Sequence, residues 1–115
     1  MELFEAPAFT RLLNQYLDEE QYRLLQQHLA ENPDIGDMMS DTGGFRKARW
    51  HDRRRGKGKR GGIRVIYYWF PEDQQIWLMT LFSKDEIQDL TPDQKRLLKK
   101  SIELETSIRK RKIGK

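Results

Sequence analysis

Between Arg46 and Arg64 the chain places ten Lys or Arg residues and a single acid, Asp52. The run begins Thr42-Gly43-Gly44-Phe45-Arg46-Lys47-Ala48-Arg49-Trp50, passes through Arg53-Arg54-Arg55 and Gly56-Lys57-Gly58-Lys59-Arg60-Gly61-Gly62, and ends Ile63-Arg64-Val65-Ile66-Tyr67-Tyr68. Cations at this density cannot all be buried, because each unpaired charge costs several kcal/mol to desolvate. They must face water or a polyanion. Six of the eight glycines lie between Gly43 and Gly62, and glycine lets the backbone come close to phosphate. The chemistry this pattern favours is recognition of a phosphate backbone. A plain solvated lysine-rich loop would not explain why the charge continues into the flanking segments at Lys47, Arg49 and Arg64.

Other chemistries find less support. The chain has no Cys, so thiolate zinc sites and disulfides are excluded. No His and carboxylate cluster has metal-ligand spacing, and no cofactor is expected. Gly56-Lys57-Gly58-Lys59 lacks the Gly-Lys-Ser/Thr ending of a nucleotide-binding loop. His51 stands beside the basic run and has a titration range suited to a general base, but no carboxylate is evident to orient it. His28 lies on an acidic helix and reads as structural. Trp50, Tyr67, Tyr68 and Trp69 adjoin the run; one set must be core, and the other is free to stack on bases. Alternation alone does not say which. The basic C-terminal run Arg109-Lys110-Arg111-Lys112 suits a helix end.

Composition frames this site. Charged residues make up 35% of the 115 and hydrophobic ones 37%, so a modest core must come from a few well-patterned segments. The net charge of +4 hides an asymmetry, since outside residues 46–64 acids outnumber bases seventeen to twelve. Basicity focused on one place favours a nucleic-acid surface over general stickiness. No signal peptide and no apolar run of about 20 residues is visible, so a soluble, cytoplasmic protein is expected.

The elements that must hold the basic residues follow from periodicity. Leu3-Phe4-Glu5 reads as a short edge strand. Pro7 opens a helix whose apolar residues Phe9, Leu12, Leu13, Tyr16 and Leu17 share one face. Asp18 with Gln21 caps a second helix, carrying Tyr22, Leu25 and Leu29, that ends at Asn32-Pro33. Residues 35–40 stay open between strand and loop. Residues 45–50 read as a strand, 51–62 as a flexible loop, 63–70 as the clearest strand, 71–74 as a hairpin connection and 76–82 as its partner. Thr91-Pro92-Asp93-Gln94 is a strong start for a C-terminal helix. The expectation is one α+β domain over residues 1–115. It would be a small antiparallel sheet, a meander with helices on one face: two N-terminal helices packed on it, a C-terminal helix, and a basic tail at 109–115.

The basic run, together with Leu81-Phe82-Ser83-Lys84-Asp85-Glu86 and Asp89-Leu90-Thr91, resembles the RelE/HigB toxins of type II toxin–antitoxin systems, the HigB-like branch above all. The resemblance spans residues 16 to about 98. It implies a metal-independent endoribonuclease that cleaves mRNA in the ribosomal A site and stops translation. It also implies a cognate antitoxin with a helix-turn-helix domain. By that resemblance Lys47, Arg49, Arg64 and Lys84 are the catalytic candidates. Arg46, Arg53, Arg54, Arg55, Lys57, Lys59, Arg60 and Tyr68 are the candidates for RNA or ribosome contact. Asp85 follows Lys84 where some members carry a second base. Two other readings use the same fold: a non-catalytic RNA- or ribosome-binding module, and a gyrase-inhibiting toxin of the ParE type.

Overall fold

The computed structural model describes residues 1–54 and 62–113. Five strands and three helices follow in the order β1 (Glu2–Glu5), α1 (Pro7–Tyr16), α2 (Glu19–Glu31), β2 (Asp37–Met38), β3 (Arg46–Trp50), β4 (Ile63–Phe70), β5 (Gln75–Ser83) and α3 (Pro92–Ile113). The strands form one sheet in the order β1-β5-β4-β3-β2. The expected meander is present, with β2–β3, β3–β4 and β4–β5 all antiparallel. The edge strand differs from a purely antiparallel sheet: β1 pairs with β5 in parallel, Leu3 opposite Ile76 and Phe4 opposite Trp77. No hairpin joins these two strands, so no turn dictates their direction. Packing decides it instead, with the Ala6 N–H donating to Leu78 O as the chain turns into α1.

The helices cover both faces, not one. Phe9, Tyr16 and Leu17, with Leu25 and Leu29 of α2, pack on Ala48, Ile63, Val65, Tyr67, Ile76, Leu78 and Leu81. On the opposite face Leu98 and Ile102 of α3 pack with Met39, Phe45, Ile66, Phe70 and Phe82. The sequence of β4 carries the reason. Apart from Arg64, every residue from Ile63 to Phe70 is apolar or aromatic, as a strand buried on two faces requires. Burial of both faces also demands a phase correction in β5. Tyr67 pairs with Leu78 and Ile66 with Thr80, so Met79 is an extra residue in a bulge. The bulge keeps Leu81 under α1–α2 and Phe82 under α3.

Local chemistry sets the helix starts as the sequence suggested. The Asp18 side chain accepts the Gln21 N–H at 2.8 Å. The Thr91 hydroxyl accepts the Gln94 N–H at 3.1 Å while the Gln94 side chain accepts the Thr91 N–H at 2.8 Å, a reciprocal cap. Gly43 and Gly44 make room for close packing. Gly43 holds a φ of +78°, and a Cβ there would lie 2.8 Å from Ile102 Cγ2. Thr42 locks this turn: its hydroxyl donates to Met39 O at 2.9 Å and accepts the Phe45 N–H at 3.1 Å.

Tyr67 pins the sheet to the segment after α2. Its ring is fully buried, its hydroxyl donates to Pro33 O at 2.7 Å, and the same oxygen accepts the Gly36 N–H at 3.0 Å. Burial holds the phenol above its ordinary pKa, so it stays a donor. Tyr67→Phe leaves both backbone groups unsatisfied. It is expected to lower the unfolding free energy by about 1–3 kcal/mol, measured by urea denaturation.

Candidate nucleic-acid interface

Alternation along β3 sorts the basic residues. Ala48 is buried in the α1–α2 core and Trp50 packs against it, so Lys47 and Arg49 point to the other face of the sheet. Antiparallel register then sets Arg49 directly opposite Arg64 on β4 and Lys47 opposite Ile66. Arg49 is exposed, whereas Arg64 is only 7% exposed. Burial, and then the charge of Arg49, press the Arg64 guanidinium below its ordinary pKa. Like charges directly opposite one another on a sheet are destabilising. The two guanidinium groups therefore repel one another across the strand pair.

Lys47 is arranged differently. Its ammonium lies 3.4 Å from a carboxylate oxygen of Asp89, in the connection between β5 and α3. Burial would raise the Asp89 pKa, but the Leu90 N–H and the charges of Lys47 and Lys95 outweigh it and hold Asp89 below the usual range. Lys84 follows β5; its N–H donates to Gly62 O at 3.0 Å, one bond beyond the strand, and its side chain is exposed. The fold thus brings Lys47, Arg49 and Arg64 to one face of two paired strands, with Lys84 at the same end of the sheet as Arg64.

The remaining basic residues divide. Arg53 is exposed and lines a shallow groove with Asn14, Gln15, Gln21 and His51. Arg46 is engaged by the fold, donating to Asp34 O at 3.2 Å and Gly36 O at 2.9 Å. Arg54 is engaged too: Nε and Nη2 donate to the two Asp52 oxygens at 3.0 and 2.9 Å, and the guanidinium lies 4.6 Å from the centre of the Tyr16 ring. Arg55, Lys57, Lys59 and Arg60 lie outside the described residues. Tyr68 is half-buried, edge-on to Phe45 at 5.2 Å and 4.7 Å from Phe70, with Gly44 against its ring. His28 packs on Trp50 with ring centres 5.7 Å apart. Arg109 likewise pairs with Asp73 and Glu105 and covers the Phe70 ring. Among the described residues, no three His, Asp or Glu side chains come together as a metal site.

The sequence did not reveal Tyr16, Asp52, Glu86 and Asp89 as partners of these cations, although Asp52 stands as the lone acid in a run of ten bases and Glu86 and Asp89 fall in the segments that carry the family resemblance.

No protein-family model matches the chain. Two solved structures do share its fold. A chain of the intact E. coli RelBE toxin–antitoxin complex matches with a TM-score of 0.53 at 15% identity, over 71% of this chain and 94% of that one. A free-state form of the E. coli toxin RelE bearing two Arg→Ala substitutions matches with a TM-score of 0.51 at 13% identity, over 76% and 86%. The chain has the α+β fold of RelE. At these identities the likeness is one of fold, and what the site does is argued from its residues.

The Arg49–Arg64 pair makes a stability prediction of its own. Arg49→Gln removes a like-charge contact beside a buried cation. It is expected to raise stability by roughly 0.2–1 kcal/mol at low ionic strength, a gain that shrinks as salt screens the repulsion. Chemical denaturation at two salt concentrations measures it.

Proposed function

We propose that this chain is a toxin of a toxin–antitoxin system, an endoribonuclease that cleaves mRNA in the ribosomal A site and is held inactive by a cognate antitoxin carrying a helix-turn-helix domain. The observation that carries this reading is the Arg49–Arg64 pair: two cations set opposite one another on paired strands, one of them buried, with Lys47 two residues along β3 on the same face. The RelE fold supports it. A non-catalytic binding module would need positive charge but not a cation buried on a paired strand.

The reaction suited to these groups is transesterification. The ribose 2′-oxygen attacks the adjacent phosphorus; the new O2′–P bond forms as the P–O5′ bond breaks. The 2′-hydroxyl gives up a proton and the departing 5′-oxygen takes one. The products are a 2′,3′-cyclic phosphate and a 5′-hydroxyl. Negative charge builds on the phosphate oxygens in between, and Arg49 and Arg64 stabilise it without reorganising, because the strand pairing has already placed them. Lys47, oriented by Asp89, and Lys84 are the side chains available to move the two protons. Exposed Arg53, with the basic residues Arg55, Lys57, Lys59 and Arg60, would supply salt-dependent affinity for ribosomal and messenger RNA.

Induced alone, the chain is expected to arrest bacterial growth with protein synthesis failing before DNA synthesis. Removing a preorganised cation costs about 2.7–4 kcal/mol of transition-state stabilisation, so Arg64→Ala should lower single-turnover cleavage on programmed ribosomes about 10²–10³-fold while ribosome binding persists. Arg53→Ala should cost about 1 kcal/mol or less, in affinity. Pulse labelling and the two kinetic assays measure this. DNA synthesis failing first would favour gyrase inhibition, and a fully active Arg64→Ala would remove the site.

A further inference from the structure

Asp52, the lone acid in a sequence run of ten bases, is buried, and what it holds joins distant parts of the chain. Arg54 grips it with two side-chain bonds, and the Asp52 carboxylate also accepts the Arg54 N–H at 3.1 Å. The Arg54 guanidinium rests on the ring of Tyr16, the last residue of α1, and donates to Gln15 O at 3.4 Å. It also approaches Glu86 at 4.0 Å. Tyr16 in turn donates its hydroxyl to Glu86 at 3.0 Å. Three separate pieces of chain meet here: the end of α1, the segment leaving β3, and the turn leaving β5.

That turn is a unit in its own right. The N–H groups of Glu86 and Ile87 both donate to Ser83 O at 3.0 Å, and the Asp85 N–H donates to the Ser83 hydroxyl at 3.2 Å. Lys84 lies within it and is tied through its N–H to Gly62 at the start of β4. Glu86 is the side chain by which Tyr16 and Arg54 hold the turn against the body of the protein.

We infer that Arg54, Asp52, Tyr16 and Glu86 form a clamp that positions the Lys84 turn against the Arg49–Arg64 strands, and that Arg54 is a positioning residue for RNA cleavage rather than a contact to RNA. This rests on the endoribonuclease reading above. The fork of Arg54 is spent on Asp52, and its flat face on Tyr16, so a Lys at this place keeps the charge and loses the geometry.

Three variants of the full chain test the clamp on programmed ribosomes: Arg54→Lys, Tyr16→Phe and Glu86→Ala. Each should slow single-turnover cleavage at saturating ribosomes about tenfold and leave ribosome affinity and its salt dependence unchanged. The Tyr16→Phe/Glu86→Ala pair should be no worse than its more severe single, since residues of one network do not add. Ile76→Val, which trims the core away from the turn, should leave the rate unchanged and controls for stability. Amide hydrogen exchange at residues 84–90 should quicken in all three clamp variants. Arg54→Lys at full rate, with Arg54→Gln weakening affinity and flattening its salt dependence by about one charge, would make Arg54 an RNA contact and overturn the inference. Unchanged exchange at 84–90 in Arg54→Lys would overturn the clamp itself. A wild-type chain that leaves mRNA intact would instead overturn the functional reading.

Discussion

The register of β3 against β4 is the constraint on which the site depends. Side chains alternate between faces with a period of two, so a slip of one residue would carry Lys47 and Arg49 into the α1–α2 core and Ala48 out of it. Several independent groups hold the observed register. Ala48 and Val65, opposite one another, are both buried under α1 and α2. Arg46 ties the start of β3 to the carbonyls of Asp34 and Gly36, and Tyr67, its register partner, ties β4 to Pro33 and Gly36. The Thr42–Phe45 turn fixes how the chain enters β3. With that register held, Arg49 has no choice but to face Arg64.

The same constraint explains why the two faces of the sheet serve different ends. Phe9, Leu25 and Leu29, fully or almost fully buried, close the face under α1 and α2. On the other face Leu98 and Ile102 of α3 close the region around Ile66 and Phe70, and the basic pairs occupy the strands towards the opposite end of β4. The apolar packing supplies the stability against which a buried Arg64 and its neighbouring charge can be maintained.

Much of the fold was legible because local chemistry and burial agree. The Asp18 and Thr91–Gln94 caps, Pro7 at the start of α1, and the alternation of Ala48 and Trp50 against Lys47 and Arg49 each point to the structure observed. What was not legible depends on residues far apart in sequence. The parallel pairing of β1 with β5 has no turn to announce it. The placement of α3 on the second face was written in the doubly apolar β4, but its contacts, such as Ile102 at Gly43, pair residues distant in sequence. Lys47 and Arg49 could be placed on one face of β3 because strand alternation is local, whereas their role comes from the family resemblance. Local spacing could not show that Arg54, besides gripping Asp52 two positions away, rests on Tyr16, or that Arg46 bonds to carbonyls 10 and 12 positions away. Glycine density suggested close phosphate approach, whereas Gly43 and Gly44 make room for Ile102 and Tyr68.

We propose that the paired arginines act on a phosphate attacked by the neighbouring ribose oxygen. An mRNA carrying a single 2′-deoxyribose on the 5′ side of the mapped cleavage point, loaded on programmed ribosomes, tests it most directly. The substituted message should bind in the same complex and stay intact. The unmodified message should be cut to a 2′,3′-cyclic phosphate and a 5′-hydroxyl. Cleavage of the deoxy-substituted message at that bond, or a 5′-phosphate on the unmodified product, would contradict it.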